Sequence, residues 1–336
     1  MKILKKIILV SLIMIVSFTL LSGNFQMVSA AEEDFRIAII LPSPRDDGGW
    51  SQSAYDALMD FEDEYQEVSV SVSESVDNPD APEYIRGYAE QGYDWIIAHS
   101  FTYGDIVKGI APDYPDIYFT VNSTDIHQEP NVSSFNYEEY HMGFMQGVVA
   151  GLITDNDHVA AYGGQEIPPI ITSTRGFEKG ARYVNPEVEV IRVMTGNFED
   201  IAQAQETANS FIEEGVDVLM ADADQAGLGV LYAADEHDDV YAVGSNSDQY
   251  EVAPESVVTS GIKNYRAAVD YIYNEIMEGN FEPKFYELGL KEGAVDIAPF
   301  RNFAEKLSEE IQEEIFAIKE KVAEGEIDPH ELPPEE

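Results

Sequence analysis

Six short stretches hold the side chains that could engage a small molecule. Asp46-Asp47-Gly48-Gly49-Trp50-Ser51-Gln52 sets carboxylates, a hydroxyl and an amide around one indole. The other five are His99-Ser100-Phe101, the region of Asn122, Gln165-Glu166, Asp222-Ala223-Asp224-Gln225 and Asn246-Ser247-Asp248, and Lys263 adds a cation. Carboxylates and amides hydrogen-bond, and aromatic rings stack, so this chemistry suits a neutral polar ligand with a flat ring. The same residues have plainer uses. Trp50 can pack its own loop, Asp47, Ser51 and Gln52 can form a surface turn, Asp222 and Asp224 can cap helices, and Lys263 can pair with an acid.

Reaction chemistry is thinly represented. No Walker A sequence or GxGxxG follows a strand, and Gly227-Leu228-Gly229 lacks the third glycine that would cradle phosphate. There is no GxSxG elbow. The six histidines stand apart in sequence without HExxH or other metal-ligand spacing, and the absence of cysteine removes thiolate sites, thiol nucleophiles and disulfides. With 64 Asp and Glu, chance pairs of carboxylates are guaranteed, and most are solvated surface. The expectation is a binding protein and not an enzyme, with no cofactor and no metal.

Strands and helices alternate to position these stretches. RIAIIL at 36–41 is a buried-strand run that ends in a loop, and a helical pattern through Ala54, Leu58 and Phe61 follows it. Further strands are expected at 68–72, 95–99, 117–121 and 132–135, with helices at 80–92 and 104–111. After a glycine-bearing helix at 140–153 a second round begins, with strands at 158–162, 188–193, 216–220 and 240–243. Repeated strand–helix units make a parallel sheet, and two rounds make two lobes. Ligands of such sheets bind beyond the carboxyl ends of the strands, where the six stretches fall.

The 336 residues include 44% hydrophobic and 11% aromatic residues, enough for a full core in more than one lobe. The formal charge of -45 excludes nucleic acid as a partner, because that affinity comes from Lys and Arg neutralising phosphates. Such a charge keeps a protein hydrated and monomeric. Lys2, Lys5 and Lys6 precede an apolar run at 7–21, and Val28-Ser29-Ala30 offers small residues for cleavage, so 1–30 reads as an export signal, with an uncleaved signal that holds the protein at the plasma membrane as the alternative. Leu21-Ser22-Gly23 is what precedes a lipid-bearing cysteine, but Asn24 stands in the cysteine's place.

Many of these segments, in order, resemble the basic membrane protein family of bacterial ABC-transporter substrate-binding proteins, from Arg36 to about Leu290. The resemblance rests on the Asp46-to-Ala54 loop, Trp95 to Asp105, Tyr114-Pro115-Asp116, Asn131-Val132-Ser133-Ser134, Gly163-Gly164, Gly176-Phe177 and Asn185-Pro186. Gly227-Leu228-Gly229, Gly244 with Ser247-Asp248-Gln249, and Ser260 with Lys263 extend it. It implies a type I periplasmic-binding fold of two doubly wound parallel-sheet lobes joined by three crossings, near 134–137, 256–262 and 282–285. The first lobe would be 35–135 plus 263–282, the second 136–256 plus 285–300, and 303–336 a C-terminal helix with a frayed tail.

The resemblance further implies a purine nucleoside or nucleobase ligand and an ABC-transporter permease as partner. Trp50 would stack on the purine, and Asp47, Ser51 and Gln52 would meet base or sugar. Ser100, Phe101, Asn122 and Gln165 would complete the walls with Asp222, Asp224, Gln225, Asn246, Asp248 and Lys263. Asn246 departs from the family's ribose-binding aspartate, and Gln165-Glu166-Ile167-Pro168 resembles a branch that binds free bases, so nucleoside and base both stay open. A ligand-sensing protein that reports the same solutes to a membrane receptor or regulator is the alternative, and a secreted nucleoside hydrolase a more distant one.

Like charges repel, and at 1 M salt the screening length falls to about 3 Å. The melting temperature should therefore rise between low and molar salt. Circular dichroism melts that show no rise would remove the self-repulsion argument.

Overall fold

The computed structural model describes residues 35–46, 50–122 and 125–332. The export signal, Asn24 and Asp47 lie outside these residues. Where an apolar run is covered on both faces it becomes a strand: in β1 (Phe35–Ile40), Ile37 to Ile40 have no exposed surface. The first lobe continues with α1 (Trp50–Glu64), β2 (Val68–Ser73), α2 (Ala81–Glu90), β3 (Trp95–Ala98), α3 (Gly104–Ile110), β4 (Tyr118–Asn122) and β5 (Val132–Tyr137). The second lobe holds α4 (Glu139–Ile153), β6 (His158–Gly163), α5 (Pro168–Val184), β7 (Glu189–Met194) and α6 (Ile201–Glu213). It goes on through β8 (Val218–Asp222), α7 (Asp224–Asp235), β9 (Tyr241–Gly244) and β10 (Val257–Lys263).

Four shorter returns complete the fold. Helix α8 (Tyr265–Met277) packs on α1, with Phe61 meeting the edge of Tyr273. Strand β11 (Phe285–Leu288) joins the first sheet and β12 (Val295–Ile297) the second, and α9 (Glu309–Ala323) packs against α4. The sheets run β11-β5-β4-β3-β1-β2 and β12-β10-β9-β8-β6-β7. In each, the chain goes from a central strand to the edge and returns on the other side, between β1 and β3 in one and between β6 and β8 in the other. Those are the topological switch points, where helices diverge and leave a crevice.

The crossings fall later than their expected positions. β5 stays in the first sheet through Tyr137, β10 in the second through Lys263, and the third crossing lies between Leu288 and Val295. The segment 285–288, expected in the second lobe, pairs residue by residue with β5, from Phe285 on Ser134 to Leu288 on Tyr137. Its alternating Tyr286 and Leu288 show an edge strand but carry no mark of which sheet it joins. The chain at 303–308 forms a short turn before α9 begins at Glu309, and β12 is a strand that periodicity over three residues does not reveal.

Helices α4 and α5 approach to backbone contact. A Cβ on Gly147 would lie 1.9 Å from the Phe177 carbonyl oxygen, and one on Gly180 would lie 1.9 Å from that of Phe144. This reciprocal fit fixes the start of α4, which follows the first crossing directly. We expect Gly147→Ala to cost about 1–3 kcal/mol by overpacking. Gly87→Ala, in α2 with open space around it, should instead add about 0.5–1 kcal/mol through helix propensity. Urea unfolding of the two variants checks the contrast.

Candidate functional site

On the first lobe, the loops after β1 and β3 flank the switch point. Trp50 opens α1, and its indole stacks on the His99 ring at 4.5 Å between centroids and 19° between planes. His99 is fully buried, with Nε2 3.0 Å from the Trp50 carbonyl oxygen and Nδ1 3.2 Å from the Tyr265 hydroxyl. A carbonyl only accepts, so in the neutral ring Nε2 carries the proton and Nδ1 accepts from Tyr265. Behind them Tyr265 meets the edge of Phe135, and Phe135 that of Tyr137. Burial pushes the phenols of Tyr265 and Tyr137 well up, so both stay neutral. The indole itself remains 38% exposed and Phe101 63%, leaving aromatic surface for a ring to cover.

The second lobe presents charge. Lys263, the last residue of β10, pairs with Glu139 in the first turn of α4 at 3.0 Å. Asp222, the last residue of β8, is 1% exposed, and neither carboxylate oxygen has a hydrogen-bond partner. Burial raises the pKa of Asp222 against the pull of Lys263, and the nearby Ser173 hydroxyl eases the shift without closing a hydrogen bond. Burial likewise pushes Glu139 up to about 7, opposed by Lys263 and reinforced by Asp222. The Lys263 ammonium is held above its ordinary value by Glu139, Asp222 and Asp224, which outweigh its own burial. Asp224 and Asn246 both adopt positive φ, 45° and 72°, and the Asn246 amide reaches the Asp224 carboxyl at 3.5 Å. Strain of this kind persists only where the surroundings impose it, as ligand clamps do.

The remaining expected residues divide. Ser51 is buried and accepts from the Ser43 backbone at 3.3 Å, tying the loop after β1 to α1. Gln52 reaches Asp56 at 3.4 Å. Ser100 caps the turn at 101–103. Asn122, at the end of β4, is buried, with its side-chain oxygen unpaired. Gln165 is exposed in the loop after β6, and Gln225 is exposed in the first turn of α7. Asp248 is engaged elsewhere, paired with Arg301 at 2.6 Å and accepting from the Tyr250 backbone. Two surface cavities of about 350 and 560 Å³, one around Tyr118 and Phe281 and the other around Tyr84 and Tyr88, include none of these residues. The candidate residues lie at the strand ends beside the switch points, away from both cavities.

Four members of the cluster had no signal in the sequence: His99 as a ring support, Glu139, Ser173 and Tyr265. The C-terminal segment is a further surprise. In place of a frayed tail, His330 stacks on Tyr140 at 4.2 Å and 22°, lies 3.3 Å from the Glu138 carboxylate, and stands 6.1 Å from His141. Glu138 caps α4 and bonds Leu288 through its backbone, so this segment seats on the first crossing, which Glu138 links to the strand before the third. Two histidines remote in sequence thus meet at the hinge, although no group of metal-ligating side chains forms among the described residues.

Residues 35–331 match the family model described as ABC transporter substrate-binding protein PnrA-like. The chain belongs to this Bmp family. Its curated relatives include a purine-binding protein of Brucella abortus, 26% identical over 85% of this chain and 82% of its own length. Basic membrane protein A of Borreliella burgdorferi is 25% identical over 96% and 95%. The transcriptional activator protein med of Bacillus subtilis is 25% identical over 86% and 90%. Among solved structures, an activator of the comK gene from Bacillus halodurans superposes with a TM-score of 0.77 at 23% identity, covering 88% of this chain and all of the other. A solute-binding protein of an ABC transporter from Conexibacter woesei superposes at 0.71 and 23%, over 89% and 98%. The fold is that of type I periplasmic solute-binding proteins. Among the described residues no helix is long and apolar enough to cross a membrane.

The Glu139 shift has a fixed sign. Below its ordinary value of 4.5 the folded and unfolded chains both hold the proton; between 4.5 and about 7 only the folded chain does. Stability from this group therefore falls as pH rises through that window. The stability of the wild type relative to Glu139→Gln should decline from pH 4.5 to 7 in urea titrations. A flat difference would mean that Glu139 ionises normally in the folded protein.

Proposed function

We propose that the chain is an exported solute-binding protein that captures a purine nucleoside or free purine base between its lobes and delivers it to an ABC importer. The observation that carries this reading is the pairing of an exposed, ring-backed indole at one switch point with buried, unsatisfied carboxylate oxygens at the other. A flat heterocycle with polar edges uses both: Trp50 and Phe101 take its face, and Asp222, Asp224, Gln225, Asn246 and Lys263 its edge. Asp47, Ser51, Gln52, Ser100, Asn122 and Gln165 line the approaches, and Asp248 steadies the loop after β9. The Brucella relative named as purine-binding supports the ligand class. Export is supported by the lysine-led apolar run at 7–21, and Asn24 leaves no thiol for a lipid anchor.

Binding without catalysis accords with the family. Closure of the lobes about the crossings gives a permease a form to recognise that the empty protein lacks. The second reading, a sensor that reports the solute to a regulator, draws on the Bacillus relative named as a transcriptional activator. In either role a chain of charge -45 does not itself hold DNA.

Thermal-shift measurements with nucleosides, bases and sugars test the ligand. We expect purines to raise the melting temperature. Glucose belongs in the panel because a Haloferax volcanii relative is named as a putative glucose-binding protein. If adenosine, guanosine, inosine, adenine and guanine all leave the melting temperature unchanged, the purine reading fails. Trp50→Ala should weaken ligand binding about tenfold, the scale of one lost ring contact, with little change in the empty protein. Equal losses in affinity and stability would make Trp50 a packing residue.

A further inference from the structure

Acceptors outnumber donors where the two lobes' strands end. Both Asp222 oxygens, Glu139 Oε2 and Asn122 Oδ1 are buried without a partner, while Ser173 Oγ is the unpaired hydroxyl beside Asp222. Buried polar atoms are nearly always bonded, and a buried carboxylate with no donor is costly, so these oxygens point to a ligand that brings donors of its own. Two free oxygens on one carboxylate accept best from two parallel N–H groups. The Lys263 ammonium beside them has three N–H donors and gives one to Glu139, so it can still donate to an oxygen. A donor next to a pair of acceptors is the complement of an edge that reads carbonyl, N–H, N–H.

We propose that Asp222 and Lys263 select a guanine-type edge, with Asp222 receiving the ring N1–H and exocyclic 2-amino group and Lys263 donating to the 6-oxo oxygen. The inference rests on the purine reading above and narrows it. Adenine places an acceptor at N1, and hypoxanthine lacks the 2-amino group, so each leaves part of the acceptor pair unmet. The Asp224 carboxyl, already engaged by Asn246, is not required for this contact.

Isothermal titration of the protein with guanosine, inosine, adenosine and 1-methylguanosine tests the assignment. Guanosine should bind roughly ten- to hundredfold tighter than inosine or 1-methylguanosine, the range of one bidentate pair. Asp222→Asn, with its fold checked by circular dichroism, should bring the guanosine-to-inosine ratio close to one. Comparable binding of guanosine and inosine by the wild type would overturn this inference and leave the purine reading standing. A ratio kept in Asp222→Asn would overturn the role of Asp222. If no purine binds, the purine reading fails and this inference with it. Should the variant not fold, the 1-methylguanosine comparison on the wild type still decides, because it removes the N1–H donor from the ligand.

Discussion

One buried ammonium governs the hinge. Lys263 stands at the end of β10, in the field of Glu139, Asp222 and Asp224, so the cost of burying Glu139 and Asp222 is set partly by a single cation. Buried ion pairs seldom add net stability, because desolvating both partners offsets their attraction. What the Glu139–Lys263 pair does supply is position. It ties the residue that begins α4 to the residue that ends β10, at two of the three points where the chain passes between lobes. Replacing the pair with apolar side chains could hold the same geometry, but it would leave Asp222 with no cation beside it. The pair is better explained as an electrostatic setting for Asp222 than as a source of stability.

The surface charge and this internal charge answer to different physics. A total of -45 is spread over a surface where water and salt screen it within several ångströms, so its chief effects are solubility and self-repulsion. At the hinge, water is displaced, screening is weak, and one proton on Glu139 or Asp222 changes the local balance. An acidic protein can therefore hold a neutral ligand without conflict between its exterior and its site. The donors that such a ligand offers act only on the few carboxylates that burial has left unbonded.

Much of the fold was legible in the sequence because buried strands and amphipathic helices have periods that a single chain reveals. RIAIIL became β1 and WIIA became β3, and the order of alternation fixed two parallel sheets. The crossings were less legible. A strand such as FYEL shows which residues face inward but not which sheet receives it, and that choice is made by pairing with residues 150 positions away, Ser134 to Tyr137. The site shows the same division. Trp50 stands out as one of two tryptophans beside paired aspartates, and Lys263 as a cation at a strand end in a chain poor in cations. Glu139 is one of 64 acids in an ordinary Glu-Glu pair, and only burial against Lys263 distinguishes it. His330 looked like part of a proline-rich tail, yet a stack on Tyr140 and a contact with Glu138 seat it on the hinge.

The rings and the charges meet through two positions in the chain separated by one residue. Lys263 faces the second-lobe carboxylates, and Tyr265 bonds His99, which supports the indole of Trp50. Asn264 lies between them, capping α8 and bonding Ala294 near the third crossing through its backbone. The ladder of rings behind Trp50 therefore ends, through Tyr265, two residues from the strand tip that carries Lys263. The ring support and the ammonium are thus held by one short stretch of chain, so Tyr265 and Lys263 keep their spacing whatever the two sheets do.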